Sequence, residues 1–171
     1  MDRDSFILPG ILIVVLLVIL VIVVAFAGNN TFNMGKVSFQ YPGGWSQSSP
    51  VGNFSNGTLY SEVTFTSNVA QANGTSQPAY IIVQIQQKTS GAINYPTTAA
   101  VINTTDSSVS TTNVSNFTAT QIGSAGSNFA EKTTIVQVNN YYMIITYITP
   151  TYALNQTADA YNMILKTLTI S

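Results

Sequence analysis

The stretch FAEKTTIVQVNNYYMIITYIT, residues 129–149, decides the fold of this chain. Its two halves, Phe129–Val138 and Tyr141–Thr149, are rich in β-branched and aromatic residues, which favour extended strands. Asn139 and Asn140 separate the halves, and asparagine tolerates the positive φ of a tight hairpin turn. Pro150 follows and ends the second half, because proline has no amide hydrogen for strand pairing. The stretch therefore predicts an antiparallel hairpin.

Segments on the N-terminal side of this hairpin continue the strand pattern. Four of them, mostly alternating in apolar and polar residues, are predicted as strands: Lys36–Tyr41, Leu59–Thr66, Ala79–Lys88 and Val114–Ile122. Three polar segments between them are predicted as loops or turns: Ser46–Gly57, Asn68–Gln77 and Asp106–Thr112. Short connections between many strands indicate a mainly antiparallel sheet.

Two segments carry helical signals. Ala153–Leu168 has apolar residues at helical spacing along one face, namely Leu154, Ala158, Tyr161, Leu165 and Leu168. Lys166 falls in the last turn, where a cation is favourable. Tyr95–Asn103 begins with Pro96, which suits the first position of a helix. After the helix at Ala153–Leu168, Thr169–Ser171 is predicted as a short extended tail. The order of strands and helices predicts an α+β fold, a mainly antiparallel sheet flanked by helices.

The N-terminal region predicts one transmembrane helix. Every residue from Ile11 to Val24 is Ile, Leu or Val, and the apolar run extends from Phe6 to Ala27. Such a helix spans about 33 Å, which matches a bilayer core. We therefore expect residues 6–27 to contact membrane lipid. The expected organisation is a signal anchor at residues 1–28, a linker at residues 29–35 and one extracytoplasmic domain at residues 36–171.

The orientation of the anchor follows from its flanking charges. Arg3 and the free amino terminus favour a cytoplasmic N-terminus, with the domain outside the cell membrane. Ala25-Phe26-Ala27 resembles a signal-peptidase site, so cleavage after Ala27 is an alternative, and a pilin-type assembly helix is another. The chain has no Cys, which excludes a lipoprotein anchor and structural disulfides.

The composition is low in charge, with 6% charged residues against about 25% in typical globular chains. The sequence shows no basic patch, which argues against nucleic acid or an anionic lipid surface as a partner. Eight Asn-x-Ser/Thr sequons, about twice the number expected from composition, predict a cell-surface glycoprotein. The alternative is that an Asn- and Thr-rich surface produces sequons by accident. The eight asparagines are Asn29, Asn53, Asn56, Asn73, Asn103, Asn113, Asn116 and Asn155.

The segment VSFQYPGGW, residues 37–45, resembles the entry motif of PsbP-like domains, in which a strand ends in Tyr-Pro and a Trp follows. Its motif residues here are Phe39, Tyr41, Pro42 and Trp45. The later pattern is also similar: a glycine-rich break at residues 123–126, a hairpin with Tyr141 and Tyr142, and a closing helix. The resemblance covers residues 36–171.

This similarity to membrane-anchored archaeal PsbP-like proteins implies an α/β/α sandwich. The plant members of the family are extrinsic subunits of photosystem II that support manganese and calcium retention. This chain has no His and lacks the charged surfaces of those members, so the resemblance implies their fold and not their role.

The sequence shows no catalytic constellation, because the absence of His and Cys excludes His-based triads, thiol nucleophiles and nitrogen- or sulfur-rich metal sites. An acid/base pair would need two of the four domain carboxylates to meet: Glu62, Asp106, Glu131 and Asp159. Solvated faces or lysine partners are the more frequent outcome. A calcium site built on Asp106 would have low ligand charge. We therefore predict no enzymatic activity, no cofactor and no metal.

The aromatic residues leave two alternatives open. Trp45 either seals the end of the sheet as a core residue or forms a carbohydrate-stacking platform, and burial is the more frequent role. Five tyrosines either line a ligand groove or divide between core and surface: Tyr141, Tyr142, Tyr147, Tyr152 and Tyr161. The sequence thus predicts a membrane-anchored binding or scaffold domain of the cell envelope, whose partner is an envelope protein or polymer. The alternative is a self-assembling envelope protein, such as a pilin-like or adhesin subunit.

Overall fold

In the computed structural model, which describes residues 28–55, 58–88 and 108–171, ten strands form two antiparallel sheets. The strands are β1 Asn29–Met34, β2 Val37–Pro42, β3 Ser46–Gln47, β4 Tyr60–Ala70, β5 Ser76–Gln87, β6 Ser108–Val114, β7 Phe117–Ala125, β8 Phe129–Val138, β9 Tyr141–Pro150 and β10 Thr169–Ile170. A short 3-10 turn at Thr151–Ala153 leads into helix α1, Leu154–Thr167.

The larger sheet has seven strands in the order β3-β4-β5-β9-β8-β7-β6. The predicted hairpin of residues 129–149 is confirmed as its β8–β9 pair, with Val138 opposite Tyr141. Asn139 adopts the positive φ, 39°, that the sequence predicts for this turn. All pairings in both sheets are antiparallel, so the predicted antiparallel character of the fold is confirmed.

The smaller sheet, β1-β2-β10, and helix α1 cover one face of the larger sheet, which we call the inner face. The β2 ring of Phe39 meets the β4 ring of Phe65 edge-on, with centroids 5.5 Å apart. Alternation along each strand supplies this core: in β5, Ile81, Val83 and Ile85 are buried, and the residues between them point to the opposite face. The described part of the chain thus forms two layers.

Helix α1 confirms the predicted C-terminal helix, but its buried face is turned relative to the predicted one. Thr157, Ala160, Tyr161 and Ile164 are buried, whereas Leu154 is 40% exposed. The reason is a set of polar contacts. The hydroxyl group of Thr157 lies 2.6 Å from that of Tyr147 and 2.9 Å from that of Thr149, and both of these β9 residues are buried. These hydrogen bonds hold the threonine face of the helix against the sheet.

The predicted linker at residues 29–35 is wrong, because Asn29–Met34 forms strand β1 and pairs with β2 along its whole length. The segment is polar and has a weak strand propensity of its own. Its pairing with β2 and one buried side chain determine its conformation: the Phe32 ring stacks on that of Phe39 at 4.9 Å. The domain therefore begins before residue 36.

The predicted loop at Asp106–Thr112 and the single strand at Val114–Ile122 are also corrected. The described residues there form a hairpin of β6 and β7, which turns at Ser115 with a φ of 54°. Strand β6 could not be recognised from the sequence. It is an edge strand with solvent on both faces, so its Ser and Thr residues show no apolar alternation. Thr169–Ile170 confirms the predicted extended tail as β10.

Two predictions lie outside the described residues: the membrane span at residues 6–27 and the helix at Tyr95–Asn103. The inner face is flanked by α1, so the described part shows one of the two predicted flanking helices. Within the described ranges, no helix is long and apolar enough to cross a membrane.

Candidate functional site

A polar pocket of about 490 Å³ opens at the end of the larger sheet where β5 and β8 finish and β9 begins. The β8–β9 turn and Lys36, which follows the turn between β1 and β2, both contribute to its wall. We call it the sheet-end pocket. Its described lining residues are Lys36, Ser55, Thr58, Ile85, Gln87, Asn139, Asn140 and Tyr141.

The position of Lys36 is set by the turn that precedes it. Gly35 has a φ of +58°, and a Cβ atom at this position would collide with the carbonyl oxygen of Phe54. That oxygen accepts a hydrogen bond of 2.8 Å from the backbone amide of Lys36. Because only glycine tolerates both this φ and this close approach, the turn holds Lys36 at the pocket.

Tyr141 supplies the aromatic wall of the pocket. It follows the Asn139-Asn140 turn on the inner face, and the Lys36 ammonium lies 5.9 Å from the centre of its ring. Burial raises the pKa of the Tyr141 hydroxyl above its ordinary value of 10.0. A phenol is already neutral at physiological pH, where it is both a donor and an acceptor. The pocket thus presents one cation beside a neutral phenol.

The remaining lining is apolar at one point and uncharged elsewhere. Ile85, which is 3% exposed, contributes the apolar surface. Ser55, Thr58 and the amides of Gln87, Asn139 and Asn140 contribute neutral donors and acceptors. The described lining contains no carboxylate.

The sheet-end pocket lies at the opposite end of the domain from the point where the chain enters. The carbonyl oxygen of Gly28 accepts a 2.8 Å hydrogen bond from Gly43, and Asn29 pairs with Pro42 at the start of β1. The six residues of β1 then run about 17–20 Å to the turn before Lys36. Gly28 and the pocket are therefore at opposite ends of β1.

The four residues of the predicted entry motif belong to the core region near Gly28. Phe39, Tyr41 and Trp45 are buried, and Pro42 is half-buried. Trp45 is 8% exposed, so the prediction that it is a core residue is confirmed. Its backbone amide donates to the Pro42 oxygen at 3.0 Å, which closes the turn.

The five tyrosines do not form one groove. Tyr147 and Tyr161 are buried between sheet and helix, and Tyr152 donates its hydroxyl hydrogen to the Val69 oxygen at 3.0 Å. Tyr142 lies on the outer face of the sheet, opposite the inner face, with the Lys88 ammonium 5.1 Å from its ring centre. Only Tyr141 of the five is among the described lining residues of the pocket.

The carboxylates predicted to be possible neighbours are apart. Glu62 on β4 and Glu131 on β8 share the outer face, but β5 and β9 lie between their strands, a separation of at least about 14 Å. Glu62 instead accepts hydrogen bonds from Tyr60 and from Gln84. Asp159 is exposed on α1, and Asp106 lies outside the described residues. Groups of three or more potential metal ligands do not occur among the described residues.

Six of the eight sequons fall within the described residues, and all six asparagines are exposed: Asn29, Asn53, Asn73, Asn113, Asn116 and Asn155. Asn56 and Asn103 lie outside them. The side-chain oxygen of Asn53 accepts a 2.7 Å hydrogen bond from Ser55, a lining residue of the pocket. Asn53 is therefore next to the candidate site.

Sequence reasoning missed most of the pocket. It identified Asn139 and Asn140 as turn residues and Tyr141 as an aromatic candidate, but it did not single out Lys36, Gln87, Ser55, Thr58 or Ile85. The one available signal was Gly35 before a lysine that begins a strand, which is too common a pattern to identify a site.

A search of known protein families finds no matching family model, and a search of curated proteins finds no match. Membership of the PsbP-like family therefore stays a prediction.

Proposed function

We propose that this chain is a non-enzymatic, membrane-anchored binding domain of the cell envelope, and that the sheet-end pocket is its binding site. In this proposal residues 6–27 hold the chain in the cell membrane, with the N-terminus cytoplasmic and the domain outside. The partner is an envelope polymer or envelope protein. The exposed sequon asparagines support an extracytoplasmic location, because glycans are added to such accessible sites.

The observation that carries this proposal is the position of the pocket. It opens at the far end of β1 from Gly28, so a chain anchored before residue 28 presents the pocket away from the membrane. Its lining combines neutral amides and hydroxyls with one lysine and one aromatic ring. Such a small set of convergent polar groups around an apolar surface is typical of a binding site.

Site-specific photocrosslinking in native membranes tests the proposal. A photoreactive residue at Asn140, in the exposed turn at the pocket, is compared with the same residue at Asn128. Asn128 is also exposed but lies just before β8, at the opposite end of that strand. We expect crosslinks to an envelope component from position 140 and not from position 128. Equal labelling at both positions, or none at position 140, would contradict the proposal.

One observation favours the alternative, a self-assembling envelope protein. Strand β6 is an edge of the larger sheet, and most of its seven residues are exposed, including Val109 at 71%. It carries no charge and no proline, the two features that usually prevent edge-to-edge pairing. A second copy adding to this edge would extend the sheet.

The oligomeric state in detergent distinguishes the two functions. If β6 mediates assembly, the full-length chain should form oligomers, and Thr111→Lys on the exposed edge should dissociate them. The matched control is Thr120→Lys on the neighbouring strand β7, whose side chain is also exposed but whose backbone is paired with both β6 and β8. A monomeric wild-type chain favours the binding function.

A further inference from the structure

We propose that the sheet-end pocket binds an acidic sugar, a pyranose ring bearing a carboxylate, within an envelope polysaccharide. The inference rests on the proposed function, because it names the ligand class of the same pocket. It goes beyond that function by assigning separate roles to the charge of Lys36, the neutral amides and the Tyr141 ring.

The charge at the pocket favours an anionic ligand. Lys36 is the charged residue of the described lining, and its ammonium interacts with the Tyr141 ring rather than with a described carboxylate. Lys88 lies on the other side of the Asn139-Asn140 turn, where its ammonium donates to the Asn139 oxygen at 2.7 Å. In a chain with 6% charged residues, two lysines beside one turn produce a local positive potential.

The neutral lining favours a sugar over a simple anion. Gln87, Asn139 and Asn140 offer amide donors and acceptors, which match the alternating donor and acceptor character of sugar hydroxyls. The Tyr141 ring and the Ile85 side chain offer apolar surface for the C–H face of a pyranose. A volume of about 490 Å³ has room for a short oligosaccharide, far more than one ion needs.

A single carboxylate on each ring fits the number and type of the cations. Lysine is a compact point charge that pairs with one carboxylate oxygen without the forked geometry that arginine offers to phosphates. Two lysines are too few for a densely charged polyanion such as nucleic acid, whose binding depends on several phosphate contacts. We therefore favour a uronic acid over a phosphorylated polymer.

Titration calorimetry on the full-length chain in detergent tests the inference. The probes are short oligomers of galacturonic acid and the same oligomers with every carboxyl group methyl-esterified, which removes the charge and keeps the ring hydroxyls. We expect the acid form to bind about tenfold more tightly at low salt, and the difference to shrink as salt screens the lysine charge.

Two charge-neutralising variants separate the role of the pocket from that of net charge. Lys36→Gln should abolish the preference for the acid form, so that acid and ester bind with similar affinity. Lys132→Gln, whose site on β8 is about 20 Å along the strand from Val138, removes the same charge and should retain the preference. Tyr141→Ala should weaken binding of both forms about equally, because it removes the aromatic wall.

The outcomes distinguish this inference from the proposed function. Equal affinity for acid and ester, unchanged preference in Lys36→Gln, or tighter binding of a phosphorylated oligosaccharide would each overturn the acidic-sugar assignment. Failure of both oligomers to bind, together with a specific crosslink at position 140, would overturn the assignment while leaving the pocket as the binding site. Failure of that crosslink would overturn the proposed function itself.

Discussion

Tyr147 on β9 and Tyr161 on α1 stack with ring centroids 5.2 Å apart, and the hydroxyl of each reaches a threonine on the opposite layer. Tyr147 pairs with Thr157 of the helix at 2.6 Å, and Tyr161 pairs with Thr134 of the sheet. Among the described residues, every buried polar side-chain atom has a hydrogen-bond partner. This crossed arrangement fixes the helix on the sheet with both polar and apolar contacts.

The stability of the domain should fall between pH 10 and pH 12. Burial raises the pKa of Tyr161 from 10.0 to about 12, so the unfolded chain ionises at a pH where the folded chain stays neutral. The stabilisation is complete below pH 10 and is lost as pH rises toward 12. The contribution of Tyr161 to this loss should be about 2–3 kcal/mol, measured by chemical unfolding at a series of pH values.

The variant Tyr161→Phe separates this titration from other alkaline effects. At neutral pH it should cost about 1–2 kcal/mol, because it removes the hydroxyl that bonds to Thr134. Its stability should then fall less steeply than that of the wild type above pH 10. Parallel pH profiles for the two proteins would contradict the assignment of the loss to Tyr161.

Trp45→Ala should destabilise the domain by about 3–5 kcal/mol, because the side chain is 8% exposed within the core near the chain entry. The matched control is Phe129→Ala, which removes an aromatic ring that is 43% exposed and should cost much less. Chemical unfolding followed by circular dichroism measures both. Trp45 is the only Trp of the chain, so its emission in the folded wild type should be blue-shifted. Red-shifted, freely quenched emission would show that the indole is in solvent.

Gly35→Ala should destabilise the domain by about 2–3 kcal/mol, because the added Cβ atom combines an unfavourable positive φ with a collision at the Phe54 oxygen. Relief of the collision would displace Lys36, so binding of an acidic oligosaccharide should also weaken. Gly44→Ala is the control, since a Cβ atom there meets nothing within 4 Å. Similar unfolding free energies for the two variants would argue against a special role for the turn.

The anchor prediction is tested on the mature protein. We expect its N-terminus near Met1 by mass spectrometry and retention in membranes at alkaline pH, because the uninterrupted apolar run is long enough to span a bilayer. Protease added to intact cells, after removal of any wall, should cut the domain. An N-terminus at Gly28 would instead indicate a cleaved signal peptide and a released domain.

The sequence predicted the central sheet because its strands carry their own signals. The alternating residues of β5 and the Asn139-Asn140 turn are local features, and both are confirmed. The strands β1 and β6 were missed because neither depends on a local pattern: β1 is held by pairing with β2, and β6 is an exposed edge. The register between distant strands, such as Ile81 opposite Tyr147, has no signal in a single sequence.

The candidate site was harder to predict for the same reason. Lys36, Ile85 and Tyr141 are far apart in the chain and meet only because β2, β5 and β9 reach the same end of the molecule. Their residue types are ordinary ones for a strand or a turn. Trp45, in contrast, was predicted to be buried from its own size and its position after a turn, which are local properties.

The separation of the chain entry from the sheet-end pocket has a mechanical consequence. A pull on a ligand held at the pocket, resisted by an anchor before residue 28, acts along β1 rather than across it. The backbone hydrogen bonds between β1 and β2 are perpendicular to the strands, so such a force loads them together in shear. Peeling the pair apart one hydrogen bond at a time would require a pull in another direction. Under the proposed function, this geometry is that of a tether that resists tension between the membrane and the bound ligand.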